Sequence, residues 1–377
     1  MNPRIFLKWL VDKGFDFYTG VPDSLLGDFI IELHESQNCI QHVSATNEGS
    51  AVALAIGHYL ATNKTPVVYM QNSGLGNAIN PIVSLAHKNV YQIPMLLIIG
   101  WRGEPGISDE PQHLTQGAIT LEMLEMLEIP YLPINNSSSF EQIEEFIDTH
   151  LARLDQPFAL VVSKDTFDSN SDKTMIVQNE QVSREQALVQ ILASIKQQSI
   201  VISTTGKLSR ELNEARESMG QVACDFMTVG GMGHAAGIAL GVSLANKSKE
   251  TFCLDGDGAI LMHLGALAMV GAQESSKFVH VIFDNGVHES VGGQPIASQL
   301  ISYPELAKAL GYRSSFSLVG LEQIAEVFGS VDSIEKPCLI SIKVSSDSRK
   351  NLSRPSKSPR ENRDSFMEEF KRLILQG

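Results

Sequence analysis

Short runs of consecutive apolar residues recur along the chain, each bounded by glycine, proline or polar residues. In the first half these are PVVYMQ (66–71), PMLLIIG (94–100) and FALVVS (158–163). They are apolar at almost every position rather than every second one, which predicts strands covered on both faces, as in a parallel sheet. CIQHVSA (39–45) reads as a further short strand. The segment 48–62 (EGSAVALAIGHYLAT) reads as a tightly packed helix rich in small residues, and a Gly/Asn turn after residue 71 leads into a helix through Lys88. Strands alternating with helices predict an α/β fold.

The same style returns in the second half with SIVIST (199–204), TFCLD (251–255), FVHVIFD (278–284) and PCLISIKV (337–344). A polar stretch without period separates the halves. The expected organisation is two doubly wound parallel-sheet domains, 1–165 and 186–345, joined by a linker at 166–185. Residues 346–377 carry RKNLSRPSKSPRENRD and then FMEEFKRLIL, which predict a C-terminal arm ending in a helix. A solvated tail is the alternative for that segment.

Composition narrows the function classes. The chain has 377 residues, 43% of them apolar, and a formal charge of −14 from 29 Lys+Arg against 43 Asp+Glu. An acidic chain lacks the basic face a general nucleic-acid binder needs, and two tryptophans make no stacking platform. No apolar run reaches the length of a membrane span, and no signal-peptide pattern opens the chain. The expectation is a soluble cytoplasmic protein with neither nucleic-acid nor membrane partners. The cysteines form no CxxC pair, and Cys39, Cys253 and Cys338 read as small core residues.

The strongest chemical signal is Gly256-Asp257-Gly258, between the strand TFCLD and a helix-like ILMHLGALAMVGA. The next strand ends at Asn285-Gly286, one βαβ unit further on. Both clusters are expected at carboxyl ends of strands, where open α/β sheets bind ligands. A carboxylate and an amide carbonyl are hard oxygen donors suited to Mg²⁺, and Gly256 and Gly258 let backbone N–H groups approach a diphosphate. On its own, GDG is also compatible with a plain strand-to-helix turn.

Gly256-Asp257-Gly258 followed by Asp284-Asn285 resembles the diphosphate motif of thiamine diphosphate enzymes. The resemblance implies Mg²⁺ held by Asp257, Asn285 and the backbone carbonyl of Val287; Asp284 stands where the family often has Asn. Glu48, at a helix start in SATNEGSAVALAIGHYLA, matches the family's activating glutamate, which shares a proton with the cofactor's pyrimidine ring. That task calls for a carboxyl group with a raised pKa; a helix-start acid favoured by the dipole is the simpler reading. GVPDS (20–24) and QNSGLGN (71–77) resemble family loops, the second placing Ser73 and Gly74 near the cofactor. In Gly230-Gly231-Met232-Gly233, Met232 aligns with the apolar residue that props the cofactor in its bent form; a core Met at a tight turn is the other reading.

The short linker leaves no room for a middle domain, so the resemblance is to the compact two-domain 2-oxoacid decarboxylases. IIGWRGEPGISDEPQHLTQG (98–117), STTGKLSREL (203–212), FMTVGGMGHAAGIALG (226–241) and FDNGVHESVGGQ (283–294) resemble the branch whose substrates carry a phosphonate or sulfonate tail. The implied reaction converts phosphonopyruvate to phosphonoacetaldehyde and CO₂ within phosphonate biosynthesis, with sulfopyruvate as the alternative substrate. The implied assembly is a homodimer or larger with the site at a subunit interface. A dianionic tail needs cations, and Arg102, Lys207, His234 and Arg210 are the candidates, all expected in loops. His113 and His288 are expected to handle protons. A nonenzymatic subunit that kept the fold would be expected to lose Glu48 or a metal ligand, and all are present. The other histidines, His263 and His280 among them, read as structural or surface residues.

Overall fold

The computed structural model describes residues 1–36, 40–168, 182–246, 248–273, 277–289, 293–346, 348–349 and 351–375. Cys39 and residues 169–181 of the expected linker lie outside the described residues. The chain divides into two compact units, Met1–Met175 with Val291–Gln294 and Ile176–Ser290 with Pro295–Gly377. Among the described residues no helix is long and apolar enough to cross a membrane.

The first unit runs α1 (Pro3–Asp12), β1 (Phe17–Gly20), α2 (Gly27–Glu35), β2 (Gln41–Ser44), α3 (Glu48–Thr62), β3 (Val67–Gln71), α4 (Leu75–Pro81), β4 (Met95–Gly100), α5 (Pro111–Met126), β5 (Tyr131–Ile134), α6 (Phe140–Leu151) and β6 (Pro157–Val162). Its strands form one parallel sheet in the order β2-β1-β3-β4-β6-β5. The continuous apolar runs are explained by cover on both faces. In β4, Leu96 and Ile98 enter one buried cluster while Met95, Leu97 and Ile99 enter the other. Helix α3 starts where the Asn47 side chain accepts the Gly49 N–H at 2.8 Å, and ends at Asn63 in the left-handed region (φ 58°).

The second unit runs α7 (Arg184–Ser194), β7 (Ile200–Ser203), α8 (Lys207–Ser218), β8 (Cys224–Met227), α9 (Ala235–Ala245), β9 (Thr251–Gly256), α10 (Asp257–Met262), α11 (Gly265–Gly271), β10 (Phe278–Asp284), the two-residue strands β11 (Val287–His288) and β12 (Gln294–Pro295), α12 (Tyr303–Ala309), β13 (Ser314–Leu318), α13 (Leu321–Gly329), β14 (Cys338–Lys343) and α14 (Pro359–Leu375). Its parallel sheet has the order β13-β14-β10-β9-β7-β8. Renumbered from its first strand, this is the same 2-1-3-4-6-5 order as the first sheet.

Two sequence expectations need correction, and at the C-terminal segment one of two alternatives falls away. The apolar ILMHLGALAMVGA segment is two helices, because the backbone leaves helical geometry at His263 (φ −134°, ψ 54°). Four strands of the two six-stranded sheets went unread: β1, β5, β8 and β13 are short, and β13 (SSFSL) is largely polar. The end of the chain is not a solvated tail. Asn362 of α14 accepts the Met227 N–H at 3.1 Å and donates to the Asp225 carbonyl at 3.2 Å, and Leu373 is buried in the core.

Candidate active site

In each sheet the first strand has the second on one side and the third on the other. Loops leaving the first and third strands therefore part at the carboxyl edge and open a crevice. In the first unit these loops begin at Val21 and Asn72, with Glu48 following β2.

Glu48 is the first residue of α3, and its side chain is turned inward, 5% exposed. One carboxylate oxygen, Oε2, accepts from Asn77 Nδ2 at 2.8 Å. Gly74 sits directly against it: a Cβ there would lie 2.5 Å from Glu48 Cγ and 2.7 Å from Cδ. Ser73 Oγ donates to Gln71 Oε1 at 2.7 Å, and Gln71 Nε2 donates to Asp23 Oδ1 at 2.7 Å. Burial pushes the Asp23 carboxyl up from its usual range.

Arg102 follows β4 and is not a free cation. Its Nε and Nη2 donate to Asp109 at 2.8 and 2.5 Å, and Nη1 donates to Ser24 Oγ at 3.0 Å. Asp109 is held far below the usual carboxylate range, first by that pair. Fully buried Asn72 donates to the Arg102 carbonyl at 2.8 Å and to Thr120 Oγ1 at 2.9 Å, fixing the loop that carries Arg102. His113 lies in the first turn of α5 rather than in a loop. Burial, and then the Arg102 charge, lower its pKa, which favours the neutral ring.

In the second unit the two sequence-predicted clusters do meet. Asp257 is 4% exposed; its Oδ2 accepts the Gly286 N–H at 2.8 Å and the Ser298 hydroxyl at 2.8 Å, and Oδ1 accepts the Gly258 N–H at 2.9 Å. Asn285 therefore stands beside Asp257, and its Oδ1 accepts the Val287 N–H at 3.1 Å. Burial, with the Asp284 carboxylate next, pushes the Asp257 carboxyl up to about 7. Asp284 is also buried and pairs with Lys343. His288 packs on Gly258, where a Cβ would lie 3.3 Å from its Cε1. Burial lowers the His288 pKa to about 4, so it serves as a neutral imidazole rather than a cation.

The remaining candidates line the same carboxyl edge. Gly231 (φ 67°) and Gly233 (φ 85°) take left-handed conformations on either side of half-buried Met232, which is therefore not a core Met. His234 caps α9 and its ring lies 4.4 Å from that of His263, a residue to which the sequence had assigned no part. Lys207 and half-buried Arg210 lie in the first turn of α8, not in a loop, and His288 lies in β11. Lys207 Nζ donates to Glu289 Oε1 at 2.9 Å and Ser348 Oγ at 2.7 Å. Burial alone would raise the Glu289 carboxyl, but Arg184, Ser348 and Lys207 together hold it below the usual range.

Sequence reading missed Asn77, Asp109, Ser298 and Glu289. Asn77, Asp109 and Glu289 lie inside strings already singled out, but nothing local marks them as partners. Ser298 is 41 residues from Asp257 and carries no signal.

A buried polar layer lies directly beneath Gly256. Asp255 Oδ1 accepts the Gly256 N–H at 3.0 Å, its Oδ2 lies 3.7 Å from His280 Nε2, and His280 Nδ1 meets the Tyr312 hydroxyl at 3.1 Å.

A divalent cation and a diphosphate fit the second unit's edge. Two buried carboxylates, Asp257 and Asp284, lie close enough to hold the proton more tightly on one of them, a repulsion that a cation would relieve. A Cβ built on Gly256 would meet open space, leaving room for a bulky anion beside the backbone.

Comparison with known proteins identifies both halves of the chain. Residues 3–124 match the family described as thiamine pyrophosphate enzyme, N-terminal TPP binding domain, and residues 204–342 match its C-terminal TPP binding domain. The chain belongs to the thiamine pyrophosphate enzymes. Within them its family is that of the phosphonopyruvate decarboxylases, which makes it a carboxy-lyase. It is 32% identical over 368 residues to phosphonopyruvate decarboxylase of Streptomyces viridochromogenes, covering 93% of this chain and 90% of the relative. It is 33% identical over 382 residues to that of Streptomyces hygroscopicus, covering 96% and 92%. A sulfopyruvate decarboxylase of Methanosarcina acetivorans is 26% identical over 315 residues, covering 76% and 77%.

Proposed function

We propose that the chain decarboxylates 3-phosphonopyruvate to phosphonoacetaldehyde and CO₂, with thiamine diphosphate and Mg²⁺, in phosphonate biosynthesis. The observation that carries the reading is the seating of the Asn285-Gly286 turn on the Asp257 carboxylate, through the 2.8 Å Gly286 N–H bond. It brings together the two hard-oxygen side chains that Mg²⁺ requires. Asp257, Asn285 and the Val287 carbonyl are the proposed metal ligands. Gly256, Gly258 and Gly231 offer backbone to the diphosphate, and Met232 offers an apolar prop.

When bound, thiamine diphosphate would supply the electron sink that decarboxylation of a 2-oxoacid needs and that no side chain offers. Glu48 exchanges a proton with the cofactor's pyrimidine, its carboxylate steadied by Asn77 and confined by Gly74. Ser73 borders the same turn. His113 is the proposed proton donor to the carbon that has lost CO₂. It begins neutral, and an incoming anionic substrate favours its protonated form. His288 contributes a neutral ring that accepts or donates one hydrogen bond.

Arg102, Lys207, Arg210 and His234 are the proposed contacts for the phosphonate and carboxylate. Arg102 and Lys207 enter as members of ion pairs, and each keeps N–H donors beyond those already used. Self-association into a homodimer or larger, in the cytoplasm, is part of the reading. Its support is exposed apolar surface on helices that already bury another side. On α9, Ala235 and Ala239 are buried while Ile238 is 38% and Leu244 49% exposed; on α3, Leu60 is 71% exposed.

The test is CO₂ release from phosphonopyruvate, sulfopyruvate and pyruvate, each with and without thiamine diphosphate and Mg²⁺. Preference for phosphonopyruvate that vanishes without cofactor is expected. Preference for sulfopyruvate would keep the chemistry and overturn the substrate.

A further inference from the structure

Glu289 stands where two proposed functions meet. Its side chain is 12% exposed and faces four donors, Lys207, Arg184, Asn285 and the Ser348 hydroxyl. Oε1 accepts from Lys207 Nζ at 2.9 Å, and Oε2 accepts from Arg184 Nη1 at 2.8 Å and lies 3.5 Å from Asn285 Nδ2. Arg184 is itself locked by Glu211, with Nε and Nη2 donating at 2.7 and 2.8 Å, so the Glu289 carboxylate has a fixed mooring.

We propose that Glu289 is a positioning residue that couples the metal ligand Asn285 to the substrate cation Lys207. An amide beside a carboxylate turns its NH₂ toward the charge, because oxygen against oxygen repels. Glu289 thereby decides which way the Asn285 amide faces and keeps its carbonyl oxygen on the side away from the carboxylate, available to a cation. The same carboxylate holds the Lys207 ammonium at the start of α8. Ser348 Oγ accepts from that ammonium at 2.7 Å, so the segment after β14 joins the mooring. One charge therefore orients a metal ligand and a substrate contact from opposite sides. The inference rests on the assignment of Asn285 and Lys207 above.

The test is Glu289→Gln, with Glu211→Gln as control. Glutamine keeps the volume but adds donors that face donors. Mg²⁺ is titrated against thiamine diphosphate binding by calorimetry, without substrate. The expected result for Glu289→Gln is a rise of about 10-fold or more in the Mg²⁺ needed for half-saturation, the scale of losing a partner behind a metal ligand. With Mg²⁺ saturating, KM for phosphonopyruvate rises about 10-fold while kcat changes less than about 3-fold, because Lys207 is released but the reacting groups are not. Glu211→Gln should lower the thermal midpoint with a much smaller Mg²⁺ shift, because Arg184 keeps its own bond to Glu289. Ser348→Ala should raise KM modestly and leave the Mg²⁺ titration unchanged.

An unchanged Mg²⁺ titration in Glu289→Gln overturns the proposal, as does an equal shift in Glu211→Gln, which would mean general loosening. A shift in Ser348→Ala as large as that in Glu289→Gln would place the coupling elsewhere and also overturn it. If the unmodified protein binds cofactor without any need of Mg²⁺, the metal assignment fails and takes the inference with it. If it needs Mg²⁺ but Glu289→Gln behaves normally, the inference alone fails.

Discussion

The contact between Gly74 and Glu48 allows a perturbation sized from the structure. In Gly74→Ala the new Cβ would lie 2.5 Å from Glu48 Cγ and 2.7 Å from Cδ. Carbon atoms in contact settle at about 3.5 Å or more, so one partner must retreat by about 1 Å. The backbone at Gly74 has φ −71° and ψ −16°, which alanine adopts without strain. The conflict is thus between side chains, and the carboxylate is the group that can move. A 1 Å retreat from Asn77 stretches the present 2.8 Å bond beyond hydrogen-bond range.

Misplacing a reacting group by this much costs on the order of 100-fold in rate, or about 2.7 kcal/mol of barrier. The overpacking costs about 1–3 kcal/mol of stability. The assay is kcat/KM for phosphonopyruvate, with thiamine diphosphate affinity and the thermal midpoint measured alongside. The expected result is a loss of about 100-fold in kcat/KM with cofactor affinity within about 3-fold, since the alanine faces Glu48. The double variant with Glu48→Gln should be no worse than Glu48→Gln alone, because both act on one group. Wild-type kcat/KM in Gly74→Ala, or losses that multiply in the double variant, would refute the role given to Glu48.

Three further outcomes are expected. Asp257→Ala should abolish Mg²⁺-dependent cofactor binding in calorimetry; normal affinity with turnover would remove the metal assignment. Asp109→Asn should lower the thermal midpoint at neutral pH. Because pairing with Arg102 depresses the folded-state pKa, that stabilisation is present above the ordinary carboxyl value of 3.8 and is lost as pH falls below it, so the two proteins should converge in acid. A gap that stays constant down to pH 2 would mean the ion pair is not its source. Ile238→Asp should shift the protein to smaller species in light scattering and lower activity with it; an unchanged mass would remove α9 from the association surface.

Much of the architecture was legible because the central strands are buried on both faces and so are written as unbroken apolar runs. The strands that escaped are those where this cause fails. β13 mixes Ser with Phe, and β1 has only four residues, half of them polar or glycine. The break at His263 escaped because an apolar run reads alike whether it is one helix or two. Glu48, Asp257 and Asn285 were legible as residue types at element boundaries. Their partners were not. Ser298, Asn77 and Glu289 matter through side-chain directions that only tertiary structure supplies. The ion pairs escaped for the same reason: Arg102 and Lys207 are cationic by type, but each meets a carboxylate that the sequence gives no cause to pair with it.

The shared strand order sharpens what the fold does and does not decide. Both sheets place the same two loops, after the first and third strands, at a switch point. In the first sheet those loops are Val21-Pro22-Asp23-Ser24 and Asn72-Ser73-Gly74, and the second of them closes on a buried carboxylate. In the second sheet they are Thr204-Thr205-Gly206-Lys207 and Asp257-Gly258, and they carry an ammonium and the proposed metal ligand. Equivalent positions thus hold different chemistry. The topology fixes that a crevice exists and which loops border it. It does not fix what enters. That choice lies in a few side chains and in the glycines, such as Gly74 and Gly256, that keep space beside them.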